Sequence, residues 1–301
     1  MAQSPAAVPD LIPPQLRPRL KGIHISARQA AGAQSFGLHQ SQNRGAGLEF
    51  SQYRAYEPGD ELRQVDWKLY ARSDRFFVRE SERDSPLDLW ILIDTSVSMS
   101  QEDRARPGWS RLDAAKVLAA ALIEVALRQG DRFGLAMIGG DGLRVSGLGA
   151  GVRHRDRCLL ELHRVAAAGA WPDEARLRPV WEHVAARSLA VFLGDTFDEE
   201  VVRLAERLAA AGREVLNLQI LTTEERDFPF IGGHRFRDPE TGEELIADGA
   251  AVRDGFISRF AAARSTLAKR FAASGIRHVE YVLDESLELP LRRLFNTGPV
   301  A

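Results

Sequence analysis

Residues 90–98 read Trp90-Ile91-Leu92-Ile93-Asp94-Thr95-Ser96-Val97-Ser98. An apolar run ends abruptly in one carboxylate and two hydroxyls at alternate positions, Asp94, Ser96 and Ser98. A strand buried on both faces is continuously apolar, and open α/β sheets place their ligands at the C-terminal ends of such strands. A set of hard oxygen donors in that place suits a divalent cation such as magnesium. The same residue types also cap helices, so the run alone leaves both readings open.

The second half of the signal lies further along the chain. Residues 189–193, Leu-Ala-Val-Phe-Leu, form another short apolar run, and Gly194-Asp195 follows it. Successive parallel strands end on the same rim of a sheet, so Asp195 would join Asp94, Ser96 and Ser98 there. Asp198 and Glu199, just beyond, are alternative sources of the second carboxylate. Between and after these strands the pattern alternates. A helix is expected over 111–129, with Ser110 as its N-cap and Gly130 as its stop. Strands over 132–138 and 143–148 are joined through Gly139-Gly140-Asp141-Gly142, a hairpin signal. Helices follow over 155–168, 175–187 and 199–211, a strand over 214–221, a helix over 250–273, a strand over 277–283 and a last helix over 287–295. Residues 222–248 read as an irregular insertion with turn signals. The expected fold class is α/β, a doubly wound, mostly parallel sheet with one antiparallel edge hairpin, occupying 88–301 after an N-terminal extension.

Bulk properties narrow the function. The chain has 301 residues, 45% of them hydrophobic, and a net charge of -2, which gives no general pull toward nucleic acid. The single cysteine, Cys158, excludes an internal disulfide and fits a reducing compartment. No apolar run approaches the roughly 18 residues of a membrane span, and the first residues lack the pattern of a signal peptide. These features point to the cytoplasm. Residues 1–34 are a basic lead-in, with an amphipathic, solvated helix expected over 15–31. Residues 35–87 are dense in charge and aromatics, and a strand is expected over 75–83.

Asp94-Thr-Ser96-Val-Ser98, the helix after it, the hairpin and Asp195 together resemble the von Willebrand factor A fold. The resemblance implies a metal-ion-dependent adhesion site that binds magnesium or manganese, with Asp94, Ser96, Ser98 and Asp195 as its ligands. The family's further threonine ligand has no counterpart between Leu143 and Leu162, where Ser146 is the only hydroxyl. The region before the sheet narrows the resemblance. It reads Gly37-x-His39-x-Ser41, Gly45-x-Gly47-x-Glu49-Phe50, then Arg54-x-Tyr56-x-Pro58-Gly59-Asp60-x-x-Arg63-x-x-Asp66-Trp67. Together with the segment Phe236-Arg-Asp-Pro-Glu-Thr-Gly242, this is similar to the bacterial family called domain of unknown function 58. That likeness implies a non-enzymatic adaptor working beside a MoxR-type AAA+ ATPase in maturing or remodelling other proteins. Within the signature, Arg54, Asp60, Arg63 and Asp66 can form an ion-pair network or a docking face, with Tyr56 and Trp67 as anchors.

Two other functions remain open at this level. One is a metal-dependent phosphoester hydrolase with Asp94 as nucleophile or base; the other is a scaffold whose metal site is vestigial. Cys158-x5-Arg164 has the spacing of a cysteine phosphatase loop, but the residues between are helical and lack glycine. His154 and His163 read as surface or helix residues.

Overall fold

The computed structural model describes residues 9–27, 50–56, 65, 67–73, 75–81, 86–140 and 142–295. The chain divides into two units, 34–86 and the remainder. In the smaller unit, β1 (Phe50–Ala55) pairs antiparallel with β2 (Phe77–Ser81), and a short helix spans Trp67–Ser73. Its described aromatics cluster. Tyr70 stacks on Phe76 at 4.3 Å, Tyr56 lies 6.1 Å from Phe76, and Trp67 meets both Tyr70 and Phe76 edge-on. Arg54 sits on β1 opposite Val78. Its side chain, with Asp60, Arg63 and Asp66, lies outside the described residues, and so does the ion-pair network expected of them.

The larger unit is built on β3 (Asp88–Asp94). A two-residue strand β4 (Glu102–Asp103) and β5 (Arg106–Ser110) follow as a small ribbon. The remaining strands of the main sheet are β6 (Arg132–Gly139), β7 (Gly142–Gly149), β8 (Leu189–Gly194), β9 (Glu214–Leu221) and β12 (Arg277–Val282). A separate hairpin, β10 (Gly233–Arg237) and β11 (Glu244–Asp248), stands between β9 and β12 in the chain. The main sheet runs β12-β9-β8-β3-β6-β7, parallel except for the edge strand β7. Residues alternate between the two faces as a pleated strand requires. Leu89, Ile91 and Ile93 enter one core with Leu189, Val191 and Leu193, while Trp90 and Leu92 enter the other with Ala190 and Phe192.

β3 pairs with β6 on one side and β8 on the other, so the winding reverses at β3. Crevices outside the strand ends at such a reversal are where open α/β sheets bind ligands. The long helix Arg111–Gln129 opens on this rim. Ser110 and Asp113 close a capping box at its start, and Gly130 ends it in the left-handed conformation at φ 80°.

Two expectations change here. The N-terminal segment is no solvated helix over 15–31: only Leu16–Arg19 is helical. Gly22, at φ 88°, turns the chain, and the Gln129 side chain then takes both backbone groups of Ile25, accepting at 2.8 Å and donating at 2.9 Å. Ile12, Leu16, Leu20, Ile23 and Ile25 are buried against the Arg111–Gln129 helix as part of its core. The insertion at 222–248 is also ordered, as the short helix Thr223–Asp227 followed by the β10–β11 hairpin.

The N-terminal segment therefore stabilises the larger unit. Leu20→Ala is expected to lower unfolding free energy by about 2–4 kcal/mol in a urea titration, while Leu245→Ala on the exposed hairpin face changes it by less than about 0.5 kcal/mol. Equal effects of the two would remove the segment from the core.

A candidate metal and partner-binding rim

The four ligands expected from sequence meet at the C-terminal ends of β3 and β8. Asp94, Ser96 and Asp195 are 5%, 1% and 3% exposed, and Ser98 is half-buried at the edge. Asp94 Oδ1 accepts the Ser96 backbone N–H at 2.8 Å, which bends the chain back after the strand. The Ser96 and Ser98 hydroxyls lie 2.9 Å apart. Asp195 Oδ1 accepts the Phe197 N–H at 3.3 Å, and its carbonyl accepts Gln219 Nε2 at 2.7 Å. Gly194 makes the approach possible: a Cβ there would stand 2.7 Å from Asp94 Cβ.

Arg111 completes the floor, a residue that sequence reasoning missed. It is 4% exposed and enters from the first turn of the rim helix. Its Nη1 donates to Asp195 Oδ2 at 3.0 Å and to the Ser98 carbonyl at 3.1 Å, and its Nη2 donates to Glu225. Its guanidinium also lies over the Phe197 ring, 5.5 Å from the centroid. Glu225 is held by a capping box with Thr222 at the end of β9. The β4–β5 ribbon, also missed, braces this corner: Asp103 accepts from both the backbone and the hydroxyl of Thr223, and Arg104 N–H donates to Glu224 at 2.7 Å.

The charge balance is uneven. Burial, and then the negative charge of Asp195, push the Asp94 carboxyl up to about 7 from an ordinary 3.8. Arg111 answers Asp195 but makes no hydrogen bond to Asp94. Among the described residues no three His, Cys, Asp or Glu side chains come together as a metal cage. Two carboxylates and two hydroxyls nevertheless form an oxygen-only donor set beside an unneutralised buried acid. That set fits a small divalent cation that keeps part of its water shell.

The loop that closes this side of the rim is 166–170, and its residues are only alanine and glycine. It is sewn to the first loop by backbone: Ala168 N–H donates to Thr95 O at 2.9 Å, Val97 N–H to Gly169 O at 2.7 Å, and Gly140 N–H to Ala168 O at 2.7 Å. Gly140 and Gly169 touch so closely that a Cβ on either would stand 2.3 Å from the other's Cα. The next residue, Trp171, offers the cleft an aromatic wall in place of an oxygen.

Other candidates separate from the rim. Asp198 borders the cleft but caps the helix Glu199–Ala210, accepting from Glu200 N–H at 2.7 Å, while Glu199 pairs with Arg270. Ser146, on the edge strand β7, donates to Glu161 of the helix Val152–Arg164. His154 is a helix residue, as one of its two readings had it, on the buried side of Val152–Arg164, with its Nε2 2.7 Å from the Phe133 carbonyl. Burial pushes the Cys158 thiol up to about 12, which leaves it inert at neutral pH. Above the floor opens a cleft of about 720 Å³, walled by Trp171, Phe197, Phe228, Phe230, Phe236 and Phe260. Glu240, at the tip of the β10–β11 hairpin, also lines it. Only the Phe236–Gly242 segment of the signature hinted at this contribution.

The sheet order and this rim define a von Willebrand factor A-like α/β protein. The chain belongs to the family described as "Protein of unknown function DUF58", which matches residues 52–266. A Mycobacterium tuberculosis protein described as uncharacterized is 27% identical over 275 residues, covering 88% of this chain and 84% of that protein. A Mycobacterium bovis protein gives the same values. Among solved structures, the SpRpn10 VWA domain is 18% identical with a TM-score of 0.41, covering 71% of this chain and 96% of that one. No helix among the described residues is long and apolar enough to cross a membrane.

Two measurements probe the charges. The folded-state value of Asp94 lies above its ordinary one, so charging it costs stability as pH rises from about 4 to about 7, and the cost stays constant above that. In chelator at pH 8, Asp94→Asn is expected to be more stable than wild type by roughly 4 kcal/mol, a gap that closes near pH 4. Equal stability at pH 8 would contradict the burial of an uncompensated charge. Arg111→Ala should instead lose roughly 3–5 kcal/mol in the same assay, since it strands the Asp195 carboxylate.

Proposed function

We propose that the chain is a non-enzymatic adaptor that grips an acidic side chain of a client protein through a magnesium or manganese ion. Asp94, Ser96, Ser98 and Asp195 would hold the ion, directly or through water. The observation that carries this reading is the buried, uncompensated Asp94 beside two paired hydroxyls at the reversal of the sheet. Held by few protein charges, the ion would keep net positive character and an exchangeable position open to a carboxylate. A MoxR-type AAA+ ATPase as working partner, and the cytoplasm as the place of action, follow from the family resemblance and composition.

A hydrolase at this rim would need an acid–base partner for Asp94. The carboxylate nearest in charge, Asp195, is instead held by a buried arginine at 3.0 Å. The adaptor reading is therefore the stronger.

Calorimetric titration of the chelated protein with manganese should give one saturable site in wild type and none in Asp94→Ala, with unchanged circular dichroism. Co-purification of the MoxR-type ATPase from the same cell should then depend on magnesium and disappear with that variant. Binding of the ATPase that survives both chelator and Asp94→Ala would overturn the metal-dependent grip.

A further inference from the structure

The β10–β11 hairpin carries a carboxylate into the rim. The strands pair in register from Gly233↔Asp248 to Arg237↔Glu244, and residues 238–243 form the tip. The tip is tightly wound: Asp238 Oδ1 accepts from Glu240 N–H at 2.8 Å and from Thr241 N–H at 3.2 Å, while Gly242 N–H donates to Asp238 O at 2.9 Å. This turn fixes the direction in which Glu240 leaves the backbone. Glu240 borders the same cleft as Asp94, Ser96, Ser98 and Asp195. Its surroundings are unfavourable for an acid. Partial burial, and then the negative charges of Asp195, Asp198 and Asp238, disfavour its charged form, while the Ser96 side chain favours it. The two tip-proximal arginines also border the cleft, and Arg235 is paired with Glu244 at 3.5 Å. A third carboxylate thus borders the cleft with two buried ones, and among the described residues the cation bonded to that pair, Arg111, faces Asp195 and Glu225.

The root of the hairpin is fixed to the rim by an aromatic ladder. Phe236 stacks on Phe228 at 5.6 Å, Phe228 packs on Phe256 at 4.5 Å, Phe256 stacks on Phe260 at 5.5 Å, and Phe260 reaches Phe197 at 6.0 Å. Phe197 follows Asp195 by two residues and lies under Arg111. The root is anchored, whereas Glu240 itself remains exposed at the tip.

We propose that Glu240 is a built-in carboxylate for the rim ion, reaching it through the ion's water shell, and holds the position a client's acidic side chain takes. The hairpin is then a displaceable plug, and the client presents a glutamate or aspartate on a turn of the same kind. This rests on the metal-dependent adaptor reading. It deepens that reading by defining what the ion grips at rest and what must leave when a client arrives.

The test uses manganese as the probe on the full chain, comparing wild type, Glu240→Gln and Asp94→Asn. Glu240→Gln should bind manganese at least about tenfold more weakly, and added millimolar acetate should restore much of that loss without affecting wild type. Hydrogen exchange of the amides of 233–248 should slow on adding manganese to wild type and stay unchanged in both variants. Equal manganese affinity in wild type and Glu240→Gln, with hairpin exchange indifferent to the metal, would overturn the role of Glu240 and leave the ion site standing. No manganese binding by wild type would overturn both.

Discussion

The structure turns on two carboxylates brought together at the ends of neighbouring parallel strands. Asp94 and Asp195 are both almost fully buried, and Gly194 lets their strands approach closely enough for the charges to interact. Burying one such charge is costly, and burying two side by side more so. Much of the surrounding architecture answers that cost. The rim helix delivers Arg111 to Asp195, the capping box at the end of β9 delivers Glu225 to Arg111, and the β4–β5 ribbon braces that corner. Each of these groups is placed by a standard local device: a helix start, a capped turn or a short ribbon. Among the described residues Asp94 is the member left without a bonded cation.

The aromatic cleft above the floor gives the polar rim a dry wall on one side. Fields from the buried charges are weakly screened there, so under the proposed function a carboxylate offered from above to a bound cation would meet a stronger interaction than it would on an open surface.

The parts of this arrangement visible in sequence are those written in local pattern. Continuous apolar runs identified β3 and β8, and the polar residues closing them located Asp94, Ser96, Ser98 and Asp195. Arg111 was not visible, because an arginine at a helix start looks like any solvated residue and its partner Asp195 is 84 positions away. The β10–β11 hairpin was hidden for a different reason. Gly-His-Arg-Phe-Arg and Glu-Leu-Ile-Ala-Asp show too little apolar alternation to announce strands, and Phe236 links the hairpin to an aromatic cluster assembled from three separate stretches. The N-terminal segment misled by its composition. Its basic residues suggest a solvated helix, yet Gly22 and a glutamine 104 residues downstream of Ile25 decide its course. The backbone stitching of 166–170 to the loop after β3 was not legible either, because it joins stretches about 70 residues apart through alanine and glycine backbone alone.

The order of strands has a consequence for how the molecule is made. β3 is synthesised first in the main sheet yet lies at its centre, and its first partner, β6, with the edge strand β7 that pairs with β6, follows after only a short turn, the ribbon and one helix. These form a largely local half-sheet while one edge of β3 is still bare. β8 reaches that edge only after further helical segments have been made. The nascent chain must therefore hold an apolar, unpaired strand edge and the isolated Asp94 side by side, and the polar end of β3 discourages the wrong pairing until β8 arrives.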